Sequence, residues 1–218
     1  MTQEQNQHGV FIALEGGEGA GKSTQSRLLA EALRARGLTV DVTREPGGTP
    51  GAEAIRSLLL DPPGEGWGAP AEALLFAAAR ADHVAQRIKP ALARGEWVIS
   101  DRFLDSSRAY QGIAGDLGDD KVLALHEVGS GGFRPDLTVL IEVPDAEVAA
   151  RLAMRDGENS DAIGGRDADY HRAVAKGFRL FAEDDPQSFA VIDGSGSAEE
   201  VHQRIMSAVA PLLGSPGV

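Results

Sequence analysis

Five short apolar runs punctuate the chain, at 10–14, 38–42, 97–100, 137–143 and 189–193. They are rich in Val, Ile and Leu and hardly alternate with polar residues. Such runs predict strands covered on both faces, as in a parallel sheet. Between them apolar residues recur at helical spacing. Over 24–36, Leu28, Leu29, Ala32 and Leu33 share one face, and Gly37 stands where a helix would stop. Segment 70–94 is Ala-rich with Leu74, Leu75, Ala78 and Val84 as its apolar stripe, and Pro90 predicts a kink or a restart. Further helices are predicted over 119–128, 146–155, 170–182 and 198–213. The alternation predicts an α/β fold, a doubly wound five-stranded parallel sheet flanked by helices.

The polar stretches complete this pattern. Residues 1–9 and 214–218 read as flexible tails around a single domain over 10–213, the size expected for 218 residues. Residues 61–68 form a Pro/Gly turn cluster. Residues 156–169 contain three Gly and almost no apolar side chain, which suits a surface lid.

Charge narrows the function classes. The net charge is −12, with 33 Asp plus Glu against 21 Lys plus Arg, which argues against a nucleic-acid partner. A small anionic ligand needs only a few local cations, and 17 of the basic residues are Arg, the side chain that grips phosphate bidentately. There is no Cys, so disulfides, thiolate metal sites and thiol catalysis are excluded. The N-terminal residues lack a signal-peptide pattern, and no apolar run approaches the roughly 18 residues of a membrane span. A cytoplasmic location without membrane contact is expected.

The run Gly16-Gly17-Glu18-Gly19-Ala20-Gly21-Lys22-Ser23 lies between the first strand and the first helix. This GxxxxGK[ST] pattern in a strand–loop–helix context predicts a nucleoside triphosphate site. Its backbone N–H groups and the helix N-terminus, continuing through Thr24, would cradle the phosphates. Lys22 would bridge β and γ oxygens, and the Ser23 hydroxyl would ligate Mg²⁺. Asp101 ends the third strand as a second Mg²⁺ ligand would. Arg44 and Arg102 follow strands two and three at the edge where ligands bind in open α/β sheets. None of the four lysines (Lys22, Lys89, Lys121, Lys176) lies in a guanine-reading Asn/Thr-Lys-x-Asp, which weakens a GTPase reading.

Three further stretches resemble the thymidylate kinases of bacterial type. They are Thr43-Arg44-Glu45-Pro46-Gly47-Gly48-Thr49-Pro50 with Glu53 and Arg56, Leu75-Phe76-Ala77-Ala78-Ala79-Arg80-Ala81-Asp82-His83-Val84, and Asp101-Arg102-Phe103 with Ser106-Ser107-Arg108-Ala109-Tyr110-Gln111-Gly112. The resemblance implies a P-loop nucleoside monophosphate kinase fold with a short lid, making dTDP from dTMP with ATP and Mg²⁺. It implies that Arg44 and Arg102 hold the dTMP phosphate, that Phe76 stacks on thymine and that Arg80 hydrogen-bonds its carbonyl. Ser106 and Gln111 would serve the base edge, Tyr110 would crowd the 2′ position, and Glu18 would reach the 3′-hydroxyl. Arg155 would lie over adenine, near Asp193-Gly194-Ser195. A homodimer is implied, with faces on helices 70–94 and 119–128. The family's Asp-Arg-x-Glu lid stretch aligns with Asp161-Ala162-Ile163-Gly164, so its Arg is missing and Arg166 becomes the expected catalytic lid residue beside Lys22 and Arg102. Two other readings remain open: a thymidine kinase with Glu45 as general base, and a P-loop module that binds ATP without transferring phosphate.

Overall fold

The computed structural model describes residues 9–144, 147, 148, 151 and 163–214. Five strands, β1 (Phe11–Glu15), β2 (Val40–Arg44), β3 (Trp97–Asp101), β4 (Leu137–Glu142) and β5 (Phe189–Asp193), form one sheet in the order β2-β3-β1-β4-β5, with every pairing parallel. The apolar runs predicted all five, and β2 lies two residues further along than its apolar run.

Burial on both faces explains the unbroken apolar runs. Ile12 and Leu14 of β1 point into one core layer with Leu29, Leu33, Ile99, Val139 and Ile205. Phe11 and Ala13 point into the opposite layer with Val98, Phe103, Leu104 and Ile88. A third cluster, including Leu140, Tyr110, Phe178 and Phe189, closes the sheet beside β4 and β5.

Helices α1 (Lys22–Arg34), α2 (Pro50–Leu60), α3 (Ala69–His83), α4 (Lys89–Ala93), α5 (Leu104–Ser107), α6 (Asp119–Ser130), α7 (Ala168–Asp184) and α8 (Ala198–Val209) surround the sheet. The predicted long helix 70–94 is interrupted by a π-helical turn over Val84–Ile88, after which Pro90 sits in the first turn of α4. Proline lacks the N–H and its ring crowds the preceding turn, and the wide turn relieves both. A second π-helical stretch, Arg108–Ala114, extends α5 and carries Tyr110 and Gln111. Helix α2 starts where the Thr49 hydroxyl accepts the Ala52 N–H and Pro50 occupies the first turn. Of the predicted helix 146–155 only residues 147, 148 and 151 are among the described residues, and the lid residues 156–162 lie outside them. Among the described residues no helix is long and apolar enough to cross a membrane.

Candidate active site

The carboxyl ends of β1, β2 and β3 meet at one edge, since Arg44 and Leu14 are both in register with Asp101. The chain order reverses there, and a cleft of about 560 Å³ opens above it. Its wall includes Glu18, Gly19, Gly21, Lys22, Ser23, Thr24, Arg44, Phe76, Arg80, Asp101, Arg102, Ser106, Tyr110 and Gln111, all expected from sequence. Gly16, Gly17 and Ala20 form the loop beneath without lining the cleft.

The loop needs its glycines. Gly16 has φ 143°, and a Cβ there would lie 2.5 Å from the Ile141 carbonyl oxygen. Gly21 leads into α1 at φ 89°. The Lys22 ammonium donates to the carbonyls of Gly16 at 3.1 Å and Gly17 at 2.8 Å. Burial, with Arg102 nearby, pushes its pKa down to about 8. The Ser23 hydroxyl donates to Asp101 Oδ2 at 2.6 Å. Hydroxyl, carboxylate, phosphate oxygens and water make an oxygen donor set of the kind Mg²⁺ takes.

Arg102 has φ 72°, an uncommon conformation for a non-glycine residue. Its N–H donates to Leu14 O, and its carbonyl accepts from the Ser100 hydroxyl. This tight turn throws the side chain back over the phosphate loop. Nη1 donates to Gly16 O and Ser106 Oγ, and Nη2 to Glu18 Oε1 at 2.5 Å and to the Tyr110 hydroxyl at 3.2 Å. Arg44 reaches the same cleft, tethered to Glu53 at 3.2 Å.

Glu15 holds this corner together. Its Oε1 accepts the N–H groups of Phe103 and Ser106, and its Oε2 accepts the Ser106 hydroxyl at 2.6 Å. Burial first, then the Asp105 carboxylate, raises its pKa to about 7, against the pull of Arg102. The native state therefore binds more protons than the unfolded chain between about pH 4.5 and 7. The stability this proton lends is present below pH 4.5 and is lost as pH rises through 7. Glu15→Gln keeps the two accepted N–H bonds and puts an NH₂ on Ser106 Oγ. It is expected to gain about 2 kcal/mol over wild type by pH 8, read as the difference in urea midpoint between pH 5 and pH 8. An equal pH dependence in both proteins would refute this.

The acceptor end is built on α3. Phe76 lines the cleft, and Arg80 follows one turn later on the same face. Arg80 Nε donates to Glu45 Oε2 at 2.7 Å, and Nη2 donates to Ser107 Oγ and Phe103 O. Among the described residues Nη1 has no partner. The other Glu45 oxygen accepts from His83 Nδ1 at 3.0 Å, and His83 Nε2 is hydrogen-bonded with the Thr43 hydroxyl at 2.7 Å. Burial alone would raise the Glu45 pKa, but Arg80 and His83 hold it below the ordinary glutamate value. With both oxygens engaged, Glu45 orients Arg80 and is a poor general base. The thymidine kinase reading loses its base here.

Arg166 departs from expectation. It does not line the cleft. Its guanidinium donates to Glu72 Oε2 and to the Tyr170 hydroxyl and lies 4.6 Å from the Tyr170 ring centre. A carboxylate and an aromatic face capture it beside the base end, away from the phosphate loop. Arg151 is the described lid-side arginine that lines the cleft. It lies within 3.9 Å of a Cβ built on Gly21 and donates to Gly194 O at 2.8 Å. Arg155 falls outside the described residues.

Sequence reasoning passed over Glu15, Glu72 and Ser107. Glu15 closes an apolar strand where a carboxylate must be satisfied or neutralised, a signal that was available. Glu72 reads as an ordinary first-turn acid of a helix.

Comparison with known proteins agrees with this geometry. Residues 14–205 match the family model "Thymidylate kinase". Over 205 residues the chain is 55% identical to a thymidylate kinase of Rhizorhabdus wittichii, covering 94% of this chain and 99% of that one. It is 54% identical over 203 residues to one of Rhodopseudomonas palustris, covering 92% and 88%. The crystal structure of the thymidylate kinase of Ehrlichia chaffeensis superimposes with a TM-score of 0.73 at 32% identity, covering 92% of this chain and 98% of that one.

Proposed function

The chain belongs to the thymidylate kinase family and is a phosphotransferase that phosphorylates dTMP; from that premise we propose that this cleft brings ATP and dTMP together in line. The observation that carries the proposal is the meeting of two cationic groups in one cleft, where Lys22 on the phosphate loop and Arg102 at the end of β3 both donate to the Gly16 carbonyl. The glycine loop and α1 take the donor phosphates, with Arg151 at the nucleotide side near Gly194. Arg102 and Arg44 take the acceptor phosphate, exchanging their contacts with Glu18 and Glu53 for phosphate oxygens. Phe76 stacks on the base, Arg80 Nη1 meets a base carbonyl, and Tyr110 closes the wall at the sugar.

A phosphate monoester with its second pKa near 6 is mostly a dianion at pH 7, so the nucleophile needs no general base. The site's work is to align two polyanions and neutralise them. Ser23 and Asp101 would hold Mg²⁺, which neutralises phosphate charge. The dianion is drawn to Arg102, and Lys22 follows the charge that develops on the transferred group. The product dTDP would feed dTTP synthesis in the cytoplasm. The homodimer this reading expects would cover Leu74 on α3 and Val128 on α6, apolar side chains 56% and 89% exposed.

ADP release should require dTMP and be absent with thymidine. Phosphorylation of thymidine at a comparable rate would overturn the proposal. Phe76→Ala is expected to raise the KM for dTMP about tenfold or more while leaving ATP binding unchanged, since base–aromatic stacking contributes about 1–3 kcal/mol. A fall in ATP affinity with an unmoved dTMP KM would reassign Phe76.

A further inference from the structure

Gln111 is buried in the cleft wall, on the π-helical stretch after α5. Its Nε2 donates to Glu72 Oε1 at 2.8 Å. A carboxylate only accepts, so this bond decides which way the amide faces. The NH₂ must meet Glu72, and Oε1 must turn away from it. Among the described residues lining the cleft, Gln111 Oε1 is the buried side-chain acceptor left without a partner. Such an orphan is costly in an empty site and calls for a ligand donor or a water.

The base supplies that donor. Thymine presents a carbonyl at position 4 and an N–H at position 3, whereas cytosine presents an amine and a bare nitrogen. Arg80 donates and Gln111 Oε1 accepts, so the pair matches thymine and mismatches cytosine at both positions. Had the amide been reversed, its NH₂ would suit the cytosine nitrogen. Selectivity at position 3 therefore depends on the residue that fixes the amide.

Glu72 is fixed in turn. Its second oxygen accepts from Arg166, which also donates to the Tyr170 hydroxyl, and that hydroxyl donates to the Tyr110 carbonyl at 2.7 Å. The segment entering α7 is thus fastened to both Gln111, through Glu72, and the backbone beside it.

We propose that Glu72 is a positioning residue for base selection, holding the Gln111 amide with its acceptor towards the base N–H, and that Arg166 secures Glu72. This rests on the reading of the cleft as the dTMP site.

The test is steady-state kinetics of Glu72→Gln with dTMP and dCMP as acceptors. A glutamine at position 72 can donate as well as accept, so Gln111 is free to reverse. The dTMP KM is expected to rise about tenfold, with kcat kept within about threefold and the ATP KM unchanged. The ratio of kcat/KM for dTMP over dCMP should fall about tenfold. The swap Glu72→Gln with Gln111→Glu places an acceptor-only group at position 111 and should recover most of that ratio. Recovery is what a merely structural role would not produce, and the swap also serves if Glu72→Gln folds poorly. An unchanged ratio in folded Glu72→Gln, or a swap that recovers stability without selectivity, overturns the proposal. Wild-type enzyme inactive on dTMP would instead overturn the underlying assignment of the site.

Discussion

Lys22→Ala is expected to lower kcat by about a thousandfold while leaving the fold and dTMP binding in place. The ammonium is nearly buried and bridges two loop carbonyls before the nucleotide arrives. Triphosphate oxygens replace those carbonyls at little reorganisation cost, and charge growing on the transferred phosphoryl group meets a cation already in position. Removing one such preorganised donor costs about 10²–10³ in rate, and a full positive charge belongs at the upper end. Burial and Arg102 push the Lys22 pKa down to about 8. The ligand-free enzyme thus loses this charge above pH 8, and its affinity for ATP should weaken there. Rapid-quench single turnovers separate the chemical step from binding. A kcat within tenfold of wild type would remove Lys22 from the transition state.

Arg102→Ala is expected to reduce kcat/KM for dTMP by about a thousandfold, through both KM and kcat. The guanidinium touches the loop carbonyl of Gly16, the Glu18 carboxylate and the Tyr110 hydroxyl, so it stands where the two phosphates must meet. It is also held by a backbone turn at φ 72°, which fixes its direction at a cost the rest of the corner offsets. Arg102→Lys keeps the charge but loses the planar fork, and should recover only part of the loss. Isothermal titration with dTMP alone reads the ground-state share. Undiminished dTMP affinity and rate in Arg102→Ala would place the acceptor phosphate elsewhere.

The sheet was legible because strands buried on both faces must be apolar throughout, so β1 to β5 stand out from the polar connections. The phosphate loop was legible because its glycines answer to backbone geometry and Lys22 and Ser23 to phosphate chemistry. Arg44, Phe76, Arg80, Asp101, Arg102 and Tyr110 came together as expected because each sits at a strand end or on one face of a helix that approaches the same edge. The π-helical turns at 84–88 and 108–114 were not legible, since widening one turn leaves the local apolar spacing nearly unchanged. Glu15 and Glu72 were missed for a different reason. Each acts through another side chain, Ser106 and Gln111, and such pairings join residues far apart in the chain. Arg166 shows the same limit: its place in the lid stretch suggested a catalytic role, while Glu72, 94 positions away, decides where the guanidinium rests.

Calorimetric titration with a dinucleoside polyphosphate joining adenosine to deoxythymidine through five phosphates measures whether one cleft takes donor and acceptor together. One molecule should bind per chain, far more tightly than ATP or dTMP alone, and either nucleotide should compete with it. Binding no tighter than that of a single nucleotide, or competition by only one of the two, would contradict a shared cleft in which Lys22 and Arg102, side by side on the Gly16 carbonyl, stand where the two phosphates meet.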